Sequence, residues 1–292
     1  MNRFSLLLLA ASISCSTARA VFSKKLGISA GGKREFCKTQ AELFFFAAAA
    51  VFILNFKTMC LPSAETLILG LMYGIFTVLA QWLYTVALRK MPVSVCAMVY
   101  SFGFIIPTVF GTVVWHEEIG AFKIISVLLC VLTVILSSAK GEVNGKKTEI
   151  GAVLPLIVSM IASGGLGIVQ KLQQKSVHSS ETGIFLFSAF LLAGIVSAAS
   201  ALTVKSENSA AEKQEKRLCP YVIAVGTVMA AANTANTLLA GRLPSVIVFP
   251  ITNVGVILAS LAVSVLFLRE RITEKQIAAV CTGIIAVVMF VF

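Results

Sequence analysis

The chain has 292 residues, 58% of them hydrophobic and only 13% charged, with a formal net charge of +11. Soluble domains carry about 25% charged residues, so this composition excludes a soluble globular protein and points to a chain solvated by lipid. The basic excess does not mark a nucleic-acid binder, because Lys and Arg fall in short loops between apolar runs and do not interleave with aromatics.

A helix needs about 20 apolar residues to cross the hydrocarbon core. Ten such runs are predicted, at 4–22, 42–59, 64–88, 93–115, 120–138, 150–172, 182–203, 219–241, 244–268 and 273–292. The first run ends in Ala-x-Ala, the shape of a cleaved signal peptide. It reads better as a retained helix, because its removal would leave the two halves of the chain unequal. Its Ser14-Cys15-Ser16 also answers Ser163-Gly164-Gly165 in the sixth run. Arg19 lies near the end of this first helix. It either snorkels to the headgroups or forms a basic contact for a carboxylate or phosphate. Residues 23–41 read as a polar loop.

Polar side chains inside hydrocarbon are costly and face other helices or water. In the third run Tyr73, Thr77, Gln81 and Tyr84 share one helical face, with Trp82 beside it. The fourth run carries Tyr100, Ser101, Gly103 and Pro107. The eighth carries Asn233, Asn236 and Thr237, continued by Gly226 and Ala230. The ninth carries Pro250, Thr252, Asn253 and Gly255. These faces read either as the wall of a substrate pathway or as hydrogen-bonded glue between helices. Pro107 and Pro250 each remove a backbone donor, so each marks a kink or hinge. The fifth and tenth runs differ. Ser126, Cys130, Thr133 and Ser137 follow spacings of 4, 3 and 4, and Ala279, Gly283 and Ala286 follow 4 and 3. Small residues at this spacing favour close packing, between repeats or between the subunits of a homodimer.

The two halves repeat each other. Met91-Pro92 answers Leu243-Pro244, Tyr100-Ser101-x-Gly103 answers Thr252-Asn253-x-Gly255, and Glu117 answers Glu270. The segment GEVNGKK at 141–147 joins the halves, giving a first repeat at 1–140 and a second at 148–292. Five helices per repeat is odd, so the repeats point in opposite directions. The expected fold is therefore all-α and integral to the membrane, with ten transmembrane helices in two inverted five-helix repeats. Lys and Arg concentrate in the loops after helices 1, 3, 5, 7 and 9, which places both termini outside the cytoplasm and suits a plasma (inner) membrane.

Two stretches, Ala87-Leu88-Arg89-Lys90-Met91-Pro92-Val93-Ser94-Val95 and Ala240-Gly241-Arg242-Leu243-Pro244-Ser245-Val246, match each other. The turns Trp115-His116-Glu117-Glu118-Ile119 and Leu268-Arg269-Glu270-Arg271-Ile272-Thr273 also correspond. With the helix count, they resemble ten-helix, EamA-like members of the drug/metabolite transporter superfamily. The turns depart from that family's Gly-Glu-Arg-Leu-Thr pattern: both lack the Gly, and the first lacks the Arg. The resemblance implies helices 1, 3, 4, 6, 8 and 9 around a central cavity, and alternating access for small metabolites or drugs.

Other chemistry has little support in the sequence. The seven Cys form no CxxC pattern and read as packing residues, so no metal site is expected. No Gly-rich loop ends in Lys-Ser/Thr, so ATP hydrolysis is not expected, nor is any cofactor. Glu65, Glu117, Glu118, Glu149, Glu181 and Glu270 fall at helix ends or turns, which disfavours proton coupling through a buried carboxylate. Lys171, at the end of the sixth run, reads as a snorkelling cation, and Glu117 as a cap for its turn that binds a nearby Arg or Lys. The expected function is secondary transport of a small organic solute, with the lipid bilayer as the other partner and export slightly favoured. The alternatives are a non-transporting membrane scaffold and an intramembrane enzyme.

Overall fold

The computed structural model describes residues 2–26, 33–56, 59, 61–90, 93–118, 120–138, 151, 153–204, 212–266 and 274–290. Among these residues the regular elements are all helical. They are α1 (Arg3–Leu26), α2 (Lys33–Leu54), α3 (Ala64–Lys90), α4 (Val93–Ser101), α5 (Ile105–Trp115), α6 (Ala121–Ser138), α7 (Val153–Lys175), α8 (Thr182–Thr203), α9 (Glu212–Arg242), α10 (Ser245–Leu266) and α11 (Glu274–Met289). The corresponding turns at Met91-Pro92 and at Arg269-Glu270-Arg271, and the joining segment at 141–147, lie outside the described residues.

Among the described residues, seven segments are long and apolar enough to cross a membrane: Arg34–Leu54, Ala64–Ala87, Cys96–Trp115, Val153–Lys175, Ser179–Thr203, Pro220–Arg242 and Ser245–Val263. The apolar part of α6, Ala121–Leu136, is shorter. In α1 the apolar run is interrupted by Ser5, Ser12, Ser14, Ser16, Thr17 and Arg19, and α11 has 16 residues. Apolar side chains such as Leu7, Ile53, Leu128 and Ile195 stand on the outer surface, as lipid contact requires.

Two expectations need correction. The segment 33–41, expected as loop, is the start of α2. Hydropathy detects what lies in lipid, whereas the helix runs on past it: Phe36, Cys37 and Ala41 are buried, and Phe36 and Cys37 form a small core with Ala201. The fourth run is also not one helix. A 3-10 turn at Phe102–Phe104 separates α4 from α5. Pro107 explains the position of this break, because its ring clashes with the carbonyl four residues earlier, at Gly103. Pro250, by contrast, sits inside a continuous α10.

The helices pair across the two halves of the chain. α2 lies on α8, α3 on α7 and α8, α9 on α1 and α2, α10 on α5, and α11 on α6. The main core gathers Phe44, Val51, Tyr73, Val169, Phe185, Phe190 and Met229 from α2, α3, α7, α8 and α9. The small-residue stripes of α6 and α11 face each other within the chain: Thr133 Oγ1 and Thr282 Oγ1 are 3.0 Å apart. Gly164 shows how close the halves approach. A Cβ there would stand 2.6 Å from Ile106 Cβ and 2.8 Å from the Gly103 carbonyl.

Candidate functional site

Polar side chains from four helices meet in the middle of the bundle. Tyr73 on α3 is only 2% exposed. Its hydroxyl donates to Asn233 Oδ1 on α9 at 2.6 Å and accepts from Gln170 Nε2 on α7 at 3.1 Å. Three turns of three helices are thereby tied through one oxygen. The Asn233 amide donates to the Met229 carbonyl at 2.8 Å, which fixes the orientation of its side chain. One turn further, Ser12 Oγ on α1 donates to Asn236 Oδ1. Thr237 is buried and donates to the Asn233 carbonyl at 2.8 Å. Arg19, half-buried on α1, lies within electrostatic range of Tyr73.

Not every residue expected on the pathway enters this cluster. Thr77 is buried and turns back to the Tyr73 carbonyl at 2.8 Å, so its hydroxyl is used within α3. Gln81 is half-buried, and its carbonyl accepts from Thr85 Oγ1 at 2.9 Å. Tyr84 meets Tyr100 of α4, with ring centroids 4.8 Å apart, beside the apolar group of Ala87, Cys96 and Leu156. Asn253 on α10 donates to the Ser101 carbonyl at 3.2 Å, just before the 3-10 turn. This bond uses a carbonyl at the break in the α4–α5 segment. Thr252 bonds its own helix at the Val248 carbonyl, 2.7 Å away.

Sequence reading missed Ser12 and Gln170. Ser12 stands among the other small polar residues of α1, and Gln170 beside Lys171, Gln173 and Gln174, so neither is singled out by its neighbours. It also misplaced Lys171, which is not a snorkelling cation. Lys171 is 4% exposed; its Nζ lies 3.1 Å from Glu117 Oε1 and donates to the Leu243 carbonyl at 2.7 Å.

The chain geometry behind this pair starts at the end of α5. His116 adopts a left-handed backbone, φ 51°, and the Glu117 N–H returns to the Gly111 carbonyl. Such a cap reverses the chain and carries Glu117 to the start of α10. There Glu117 Oε2 accepts the Ser245 N–H at 2.6 Å, and Oε1 accepts Ser245 Oγ at 3.2 Å. Pro244 precedes α10 and has no side-chain acceptor, so the carboxylate serves a helix N–H that would otherwise lack a partner. Lys171 does the same for a carbonyl at the end of α9. Each charge has the sign that its helix terminus favours.

The central cluster is built of neutral donors and acceptors, among which hydroxyl and amide groups predominate. It suits the recognition of hydroxyl groups, each of which both donates and accepts.

These features define a multi-pass helical membrane protein with a polar seam between its halves. Residues 23–292 match the family described as Sugar transport protein. The chain belongs to this family of membrane transporters. No curated protein matches the sequence. A solved structure described as "Crystal structure of protein" is similar to this chain with a TM-score of 0.78 and 12% identity, covering 99% of this chain and 97% of the other. At that identity the likeness is one of fold.

Proposed function

We propose that this protein is a secondary transporter that carries a sugar, or a similarly hydroxylated small solute, by alternating access. The observation that carries the proposal is the chain Gln170–Tyr73–Asn233, which joins α3 of the first half to α7 and α9 of the second. A bound solute hydroxyl would replace one of these protein–protein bonds with an equivalent one, at little net cost. The family's description supports the choice of sugar.

The halves are read as two inverted five-helix repeats, residues 1–140 and 148–292, with α4 and α5 forming one span of the first. Two features support this reading. The pairing of α3 with α7 has its counterpart in that of α9 with α1, and the pairing of α3 with α8 in that of α9 with α2. Ser101 and Asn253, which the repeat aligns, bond each other. The drug/metabolite transporter resemblance, with its EamA-like topology, belongs to the same proposal. So do the plasma-membrane location, termini outside, export as the favoured direction, and Pro107 and Pro250 as hinges.

The test is counterflow in proteoliposomes loaded with individual pentoses, hexoses and polyols, with amino acids and nucleobases as controls. Saturable exchange of at least one sugar, reduced in Asn233→Ala, supports the proposal. Saturable exchange of a non-sugar only would overturn the sugar assignment.

A further inference from the structure

Consecutive residues of α7 face two different structures. Gln170 reaches the central Tyr73, and Lys171 reaches Glu117 at the mouth formed by α5, α7 and the α9–α10 corner. We propose that the Glu117–Lys171 pair is the latch that holds this mouth closed and that must part for the solute to pass. The inference rests on the transporter reading and adds a gate to it.

Three observations carry it. First, the pair joins the halves of the chain: Glu117 follows α5, whereas Lys171, Leu243 and Ser245 belong to the second half. Separating α5 from α7 and α10 at this mouth therefore breaks the ion pair and both Ser245 bonds together. Secondly, the helices under the pair are seated against one another. A Cβ on Gly111 would stand 2.6 Å from Ser245 Cβ, and one on Gly167 would stand 2.9 Å from both Phe249 and Pro107. The mouth is sealed by packing as well as by charge. Thirdly, both charges are largely withdrawn from solvent, with side chains 6% and 11% exposed. A buried pair is strong only while its geometry is kept, and costly once one partner is lost. In the proposed gate the pair has two states, made and parted, and the helix turn that carries both Gln170 and Lys171 connects it to the central cluster.

A reporter for the mouth is Thr108→Cys, on α5 and 3% exposed in the closed arrangement. It is placed in a background lacking the native cysteines, and labelled with a membrane-impermeant maleimide in right-side-out and inside-out vesicles. Gly120→Cys, whose side chain would meet nothing within 4 Å, identifies the face that bears this mouth. Glu117→Gln and Lys171→Met should each raise labelling from that face by about tenfold, through a shift in the closed–open population. The double substitution should label no more than either single one, because both remove the same contact and the double leaves no unpaired buried charge. Glu117→Asp, a milder change that shortens the reach to Lys171, should raise labelling less, and Lys171→Arg should leave it near the unsubstituted level. Labelling needs no solute, so it judges the latch whether or not a sugar is carried. Unchanged labelling from that face in folded Glu117→Gln, Lys171→Met or Glu117→Asp would overturn the proposal. So would additive effects in the double variant.

Discussion

The polar centre and the polar mouth are built from opposite materials. At the centre, Tyr73, Gln170, Asn233, Asn236 and Ser12 are neutral and bond through hydroxyl and amide groups. At the mouth, Glu117 and Lys171 are charged, and each also satisfies a helix terminus. A neutral hydrogen bond contributes about 1 kcal/mol net and exchanges readily with a solute hydroxyl. A buried ion pair with helix ends attached cannot be exchanged piecemeal. The comparison assigns recognition to the centre and closure to the mouth.

The substitution expected to have the largest effect on stability is at the mouth. Gly111→Val would drive a branched side chain into Ser245 and Glu117, whose Oε2 lies 2.8 Å from the Cβ position. Overpacking of this kind costs about 3 kcal/mol, so thermal unfolding in detergent should begin at a clearly lower temperature. An unchanged midpoint would break the contrast, since it would mean that the mouth is loosely packed.

At the centre the largest effect should fall on transport. Asn233→Ala leaves the Tyr73 hydroxyl without its acceptor and removes a contact offered to solute. A loss of about 2 kcal/mol in solute stabilisation corresponds to a roughly thirtyfold fall in kcat/KM for exchange. Tyr73→Phe removes a hydroxyl but leaves Asn233 and Gln170 free to bond solute. Its effect should be about fivefold, near 1 kcal/mol. A larger loss in Tyr73→Phe than in Asn233→Ala would show that the phenol, not the amide, is the principal contact.

A third region sets the lower end of the scale. Thr133 and Thr282 bond each other on the α6–α11 seam, away from both polar regions. Interhelical bonds of this type average about 0.6 kcal/mol. Thr133→Val should lower thermal stability slightly and leave exchange unchanged. A transport defect there would extend the pathway to a seam that the account treats as packing.

Much of this arrangement was legible in the residues. The apolar runs mark where the described helices lie, because lipid imposes a continuous apolar surface. Tyr73 and Asn233 stood out because a polar group in hydrocarbon needs a partner. What the runs conceal is where helices begin, since α2 starts at Lys33 among charged residues that hydropathy discounts. Pro107 predicted a break, but the clash acts one turn earlier, at Phe102–Phe104. Lys171 was harder still. A Lys at a helix end snorkels unless a distant carboxylate folds back to meet it. Only the left-handed turn at His116 brings Glu117 there.

The measurement that tests the division between centre and mouth most directly is thermal unfolding of the purified protein with and without the sugar identified by counterflow. A solute that binds only the folded state raises the midpoint by mass action. The account predicts a rise in the unsubstituted protein and in Thr133→Val, and none in Asn233→Ala at the same concentration. An undiminished rise in Asn233→Ala would place recognition outside the Tyr73–Asn233–Gln170 cluster and contradict the account.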